Sequence, residues 1–169
     1  TQHSRLTMLG STANLALGNW LLRGEVAWID GLEYFHLPDR KTQRVDVLVG
    51  VDYSGFTDTF IAFDLVNRWV DGWESSLLDA PDFTRRNSLE VAFRIQRDFL
   101  QDTLHVALLA VGFGRNLEDG SAVRLGVDYD LRDGLSIGGG ILLYQAGDLP
   151  PLSAYGRNDR VYLQAKYSF

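Results

Sequence analysis

The sequence predicts an all-β chain that forms a transmembrane, up-and-down antiparallel β-barrel with eight or nine strands. Three observations indicate this fold class. Apolar and polar residues alternate with a period of two through most of the chain, which places one face of each strand in an apolar environment. Short turns alternate with longer connections. Aromatic residues collect near the ends of the predicted strands, as they do at the two interfaces of a bilayer.

The composition argues against several other classes of protein. The 169 residues carry 16 Lys and Arg against 22 Asp and Glu, and the net charge of −6 argues against a nucleic-acid partner. The absence of cysteine excludes disulfides and thiolate metal sites. No apolar run approaches the roughly 18 residues of a membrane-spanning helix. The mean hydropathy of −0.08 is typical of a soluble chain, so the average hides where the apolar residues lie.

Nine candidate strands follow one another along the chain. The third is the clearest, with Val45, Val47 and Val49 on one face and Arg44 and Asp46 on the other. The sixth is apolar on both faces apart from His105, so its register is ambiguous. In chain order the candidates are residues 5–17, 20–28, 44–53, 59–68, 88–96, 104–114, 123–131, 135–146 and 161–169.

The eighth candidate strand contains three consecutive glycines, Gly138 to Gly140. A glycine run resembles a phosphate-binding loop only when a strand and a helix flank it. Inside a strand, glycine more often permits a bend or the close approach of a large neighbour. We therefore expect a packing role for these residues.

The connections are short at one end of the predicted strands and long at the other. Turns at 18–19, 54–55, 99–102 and 132–134 suit hairpins. Longer loops are predicted at 30–41, 71–86, 115–120 and 147–158, and residues 74–79 are candidates for one helical turn. This alternation is typical of a meander and leaves no βαβ spacing.

Alternation alone does not decide whether the apolar face forms a soluble core or contacts lipid. The candidate strands of about ten residues match the 9–11 needed to cross a bilayer, which favours the membrane. The polar faces carry both signs of charge, with 14 Arg against 2 Lys, and arginine suits confined, multidentate pairing. The predicted interfacial aromatic residues are Trp20, Trp28, Tyr53, Trp69, Tyr129 and Tyr144.

The charged residues of the polar faces are the strongest functional candidates. In a wide barrel they would line the lumen and set its selectivity, whereas in a narrow barrel they would form a neutralised network. Expected pairs are Arg23 with Glu25, Arg44 with Asp46, Asp64 with Arg68, Glu90 with Arg94, and Arg124 with Asp128. The ten lumen candidates are therefore Arg23, Glu25, Arg44, Asp46, Asp64, Arg68, Glu90, Arg94, Arg124 and Asp128.

The last strand carries a family resemblance. Residues 161–169 resemble the C-terminal signal strand of Gram-negative outer-membrane β-barrels, in which a terminal Phe follows aromatic or apolar residues at alternate positions. The matching positions are Val161, Leu163, Tyr167 and Phe169, and the small Ala165 departs from the pattern. The resemblance implies an outer-membrane location, contact with outer-membrane lipid and lipopolysaccharide, and recognition by the barrel-assembly machinery.

A weaker resemblance covers most of the chain. Segments 55–59, 66–68 and 144–151 are similar to the C-terminal part of large, uncharacterised outer-membrane barrels. Genes of that family often accompany inner-membrane exporters of the RND superfamily. The resemblance implies that the partners include the remaining strands of a larger barrel or an exporter system. It carries over no catalytic or ligand-binding residue.

The strand count bears on whether residues 1–169 form one complete barrel or the C-terminal part of a larger one. If residue 169 lies at the periplasmic end, the short turns are periplasmic and the long loops external, as in bacterial barrels. Eight strands then span 20–169, and residues 1–18 are either an extra strand or a non-spanning arm. Bacterial single-chain barrels have even strand numbers, so the ninth candidate favours a part of a larger barrel.

These features predict an outer-membrane channel or transport barrel for small or lipidic solutes. The alternative is a non-conducting structural or binding barrel with ligand-contacting external loops. We expect no enzyme, since no nucleophile and base lie at a suitable spacing, and no cofactor or metal. His36, which could pair with Asp39, and His105 are predicted as loop and rim residues. Two loops remain open: the acidic loop 71–82 as a cation site, and 147–152 as an inward-folding constriction or a ligand contact.

Overall fold

The computed structural model describes residues 5–168, which form one antiparallel sheet of nine strands. The strands are joined in sequence order, so the topology is the predicted up-and-down meander. The elements are β1 (Thr7–Leu17), β2 (Trp20–Tyr34), β3 (Leu37–Tyr53), β4 (Thr59–Asp71), a 3-10 turn (Ser75–Leu78), β5 (Asn87–Phe99), β6 (Leu104–Phe113), β7 (Ser121–Arg132), β8 (Leu135–Gln145), the short helix α1 (Leu152–Tyr155) and β9 (Arg160–Tyr167).

The sheet is open rather than closed into a barrel. Within the described residues, β1 pairs only with β2 and β9 pairs only with β8. The strand count is nine, because Thr7–Leu17 forms a full strand along β2. The prediction of an all-β, up-and-down antiparallel sheet is thus confirmed, whereas the described chain alone does not make a closed barrel.

One predicted connection is wrong. Residues 30–41 do not form a loop, because β2 runs on to Tyr34 and β3 begins at Leu37. The register shifts near Gly31, whose φ is +90°, and such a bulge interrupts the period-two pattern. The alternation is therefore hidden in the sequence at the place where the hairpin continues.

The register places two chemically different faces on the sheet. Leu22, Val51, Phe63 and Phe93 lie in one cross-strand row of the apolar face. All ten lumen candidates lie on the opposite, polar face. The cross-strand pairing places each of them an odd number of residues along its strand from the apolar row, so its side chain points to the other side. Five of the six predicted interfacial aromatic residues lie on the apolar face. The exception is Tyr144, which pairs with Ala122 on the polar face.

The residues of the predicted signal strand are placed in part. Val161, Leu163 and Tyr167 pair with Ile141, Gly139 and Leu135 on the apolar face. Phe169 lies outside the described residues.

Few apolar side chains are buried, and most of those lie near the long-loop end of the sheet. Val70 is 2% exposed, Leu77 is fully buried and Leu152 is 7% exposed. By contrast, Val49 on the apolar face is 58% exposed. The sheet therefore has no conventional core between two layers, and its wide apolar face has no cover within the described chain. Among the same residues, no helix has the length and apolar character to cross a bilayer.

The glycine run of β8 accommodates a tyrosine, as the sequence predicts. The hydroxyl of Tyr162 on β9 would lie 2.7 Å from a Cβ at Gly140 and 3.1 Å from one at Gly126. That hydroxyl accepts hydrogen bonds from Arg124, whose Nη2 lies 3.0 Å away. Gly140 thus lets a large side chain cross β8 and reach β7.

We predict that Gly140→Ala destabilises the folded protein. The added Cβ would collide with the carbonyl oxygen of Leu125 and with Tyr162, and overpacking costs about 1–3 kcal/mol. Urea unfolding in detergent micelles measures this change. Gly24→Ala is the matched control, since no atom lies within 4 Å of that Cβ. It should leave stability unchanged or raise it by about 0.5–1 kcal/mol. Equal effects of the two substitutions would contradict the packing role.

Candidate functional site

The long loops fold over the polar face and border a partly open cavity of about 300 Å³. We call it the loop-covered pocket. The strands contribute its polar floor, and loops 72–86, 114–120 and 146–159 contribute most of its cover. Its lining residues are Arg44, Arg68, Val70, Phe83, Thr84, Arg85, Ser88, Glu90, Phe113, Asp119, Leu149, Pro150, Pro151 and Leu152.

A charged clamp holds the three loops together. Arg85 donates from Nε and from Nη2 to the two carboxylate oxygens of Asp119, both at 2.6 Å. Its Nη2 also lies 3.5 Å from Asp148 in the third loop. The side chain of Asp119 is only 10% exposed. Bidentate pairs of this kind fix geometry as well as charge, so Arg85 positions all three loops at once.

Hydrogen bonds shift the pKa of Arg85 in the clamp and of Glu118 beside it. The hydrogen bonds from Arg85 to Asp119 raise the pKa of the guanidinium above its ordinary value. The pKa of Glu118 is lowered, mainly because its carboxylate accepts the backbone N–H of Asn116. Both shifts favour the charged form, so Arg85 and Glu118 are ionised at neutral pH.

The tip of the β2–β3 hairpin is tied to the next loop through Asp82. The carboxylate accepts the backbone N–H groups of Phe35 at 2.9 Å and His36 at 3.0 Å. The Nδ1 atom of His36 lies 2.9 Å from the same carboxylate. Burial raises the pKa of Asp82, but these contacts outweigh it and the net pKa is lowered. His36 thus pairs with Asp82 and not with Asp39.

Two of the four acidic side chains in loop 71–82 have structural contacts. Asp82 binds the hairpin tip, and Glu74 accepts a hydrogen bond from Arg40 at 2.7 Å. Among residues 5–168, no group of three or more His, Asp or Glu side chains is arranged to hold a metal ion.

The strand charges on the polar face pair across neighbouring strands, but mostly not as expected. Only Arg44 with Asp46, at 2.8 Å, matches the predicted pairs. Arg23 instead binds Asp52 and Asp64, at 2.8 and 2.9 Å, and Arg68 binds Glu90 at 2.6 Å. Arg124 binds the Tyr162 hydroxyl, and Asp128 accepts a hydrogen bond from Gln164 at 2.7 Å. Within the described chain, Arg94 and Glu25 have no such partner.

The reason for these differences lies in the register. The pairs expected from sequence spacing join residues two or four apart, whereas most of the observed partners lie one or two strands away. Asp64 is close to Arg23 because both flank Gly50 in the same cross-strand row. A glycine between two opposite charges leaves room for a guanidinium to reach across β3.

A second polar cluster lies near the short-turn end. His105 Nδ1 is 2.6 Å from Asp98, and its Nε2 is 3.4 Å from Asp130. His105 shares the polar face with both carboxylates, which agrees with a rim position. Its contacts are carboxylates, and no hydroxyl nucleophile is hydrogen-bonded to it within the described residues.

The sequence indicated part of the loop-covered pocket. Leu149 to Leu152 line the cavity and Leu152 is buried, while the hypothesis that residues 147–152 form a constriction stays a prediction. Arg85 and Asp119 were missed. They lie in loops 34 residues apart, where no periodicity relates them, and only the paired signs of an arginine and an acidic residue could have indicated them.

No protein-family model matches the chain, and no curated protein matches it at a significant level. The functional argument therefore rests on the two faces of the sheet and on the loop-covered pocket.

We predict that Arg85→Ala loosens the loops over the pocket. The substitution leaves the buried carboxylate of Asp119 without its cation, and breaking such a pair by removing one partner is strongly destabilising. Limited proteolysis should cut loop 114–120 at least several-fold faster, while the strands stay protected. Arg157→Ala is the control, because Arg157 is exposed in the third loop and forms no ion pair within the described residues. Unchanged cleavage in Arg85→Ala would contradict the clamp.

Proposed function

We propose that this chain forms the wall of an outer-membrane β-barrel that acts as a channel or transport protein for small or lipidic solutes. The observation that carries the proposal is the contrast between the faces of one sheet. One face is a broad surface of exposed apolar side chains, and the other is a network of charges covered at one end by loops.

The apolar face supports lipid contact. Leu15 on β1, Val49 on β3 and Leu163 on β9 are 54%, 58% and 89% exposed. Contiguous apolar surface of this extent marks an interface with another apolar phase. Trp20 and Tyr53 stack near the short-turn end with ring centroids 4.4 Å apart, a place where amphipathic rings would meet lipid headgroups.

The polar face supports an aqueous lumen. It carries charges of both signs that form ion pairs, and arginine provides nearly all of the cations. Arg94 is exposed and has no ion-pair partner within the described chain. An unpaired cation on a lumenal wall would attract anions and set selectivity.

The two open edges support a larger barrel. A strand edge exposed in lipid would leave backbone N–H and C=O groups without hydrogen bonds, each at a cost of several kcal/mol. We therefore propose that further strands close the barrel against β1 and β9, with the short turns in the periplasm. The barrel-assembly machinery would recognise β9, and an exporter system would be a partner.

The membrane proposal predicts a large penalty for a charge on the apolar face. Val49→Arg near the middle of β3 should cost about 2–4 kcal/mol in a bilayer, whereas an exposed surface site in a soluble protein changes stability by about 0.5 kcal/mol or less. Unfolding in lipid vesicles measures the difference. Thr12→Arg, on the polar face of β1, is the control and should cost little. Similar small effects for both substitutions would refute lipid contact.

The channel proposal predicts ion conductance with a selectivity that Arg94 controls. Arg94→Glu should shift the reversal potential in a planar bilayer under a salt gradient towards cation selectivity, because a lumenal positive charge becomes negative. Arg157→Glu makes the same change of charge on an exposed loop and should have a smaller effect. A folded, membrane-inserted protein without conductance would favour the alternative, a non-conducting barrel whose loops bind a ligand.

A further inference from the structure

The walls of the loop-covered pocket differ in chemistry. The strand side presents the arginines Arg44 and Arg68 with Ser88 and Glu90. The loop side presents Phe83 and the apolar run from Leu149 to Leu152, together with the paired side chains of Arg85 and Asp119. Pockets of this kind bind a ligand with an apolar body and use a few polar groups to orient it.

The guanidinium groups of Arg44 and Arg68 have N–H donors at the pocket that form no hydrogen bond within the described chain. A guanidinium has five N–H donors and no acceptor. Arg44 and Arg68 each donate one hydrogen bond to a carboxylate within the described chain, to Asp46 and to Glu90. The Nε of Arg44 is buried with no hydrogen-bond partner, as is the Oδ1 of Asp46, which does not line the pocket. A ligand group that accepts hydrogen bonds would complement these donors, and a negatively charged acceptor would form the strongest hydrogen bonds with them.

The volume of the cavity indicates the size of the ligand. Its volume of about 300 Å³ is at the small end of ligand pockets. At roughly 30 Å³ for each water-sized group, it holds about ten non-hydrogen atoms. The aromatic rings of Phe83 and Phe113 line the cavity and favour a planar aromatic body, since aromatic rings gain from offset-stacked or edge-to-face contacts.

We propose that the loop-covered pocket binds a small aryl carboxylate, with its anionic group on Arg44 and Arg68 and its ring against the loop wall. The site would then select the solute at the external entrance of the barrel. This inference rests on the proposed transport function, because the pocket lies on the face assigned to the lumen.

Binding of trans-cinnamate to the protein in lipid nanodiscs tests the proposal. Ligand-observed NMR titration should give saturable binding of cinnamate and at least tenfold weaker binding of cinnamamide, which has nearly the same shape and no charge. Arg68→Gln should weaken cinnamate binding at least tenfold. The control Arg157→Gln also removes a positive charge, but outside the pocket, and it should bind as the unmodified protein does.

A second variant guards against a folding defect in Arg68→Gln. Ser88→Phe fills the cavity, keeps every charge and should also abolish saturable binding. Heat-modifiable migration on gels reports whether each variant is folded. Equal binding of the acid and the amide would overturn the proposal, as would cinnamate binding that survives both substitutions in folded protein.

The same measurements separate this inference from the transport function. Saturable cinnamate binding in a protein without conductance would support the site and refute the channel. Conductance without cinnamate binding would support the channel and refute the site.

Discussion

Strand register is the constraint on which both faces of the sheet depend. Because side chains alternate, a slip of one residue would move every charge of a strand to the apolar face. Arg23 on β2 binds Asp52 on β3 and Asp64 on β4, so one guanidinium holds three strands in one register. Tyr162 acts similarly from β9, since it crosses β8 to accept hydrogen bonds from Arg124 on β7. Turns alone would allow other strand registers, and these contacts select one of them.

The distribution of buried groups follows from this two-faced design. A soluble sheet would bury its apolar face against a second layer, but here Val70, Leu77 and Leu152 are buried near the long-loop end. The loops therefore organise around the polar face, through the clamp between Arg85 and Asp119. Loops cover the polar face, and nothing in the described chain covers the apolar face. This arrangement is the opposite of a soluble β-sandwich, and it supports the proposed wall between lipid and water.

Period-two alternation predicted the strands and their order because it reports directly on which face each residue occupies. It predicted which face the ten charges share, but not their partners, since Arg23 finds Asp64 only through the pairing of β2, β3 and β4. The extended hairpin near Gly31 was missed because a bulge breaks the period. The clamp of Arg85 with Asp119 was missed because loop contacts obey no period at all.

The preference for arginine gains a physical meaning from the loop-covered pocket. A lysine that neutralises a carboxylate has a compact charge, whereas an arginine can hold a carboxylate along one edge and keep donors free along another. Arg68 binds Glu90 through Nη1, which leaves its other nitrogens available to a solute or to water. The wall can thus be neutral overall and still present oriented donors. In the proposed lumen, such a wall would attract anionic groups by hydrogen bonding without a large net charge, whose self-repulsion would destabilise the folded chain.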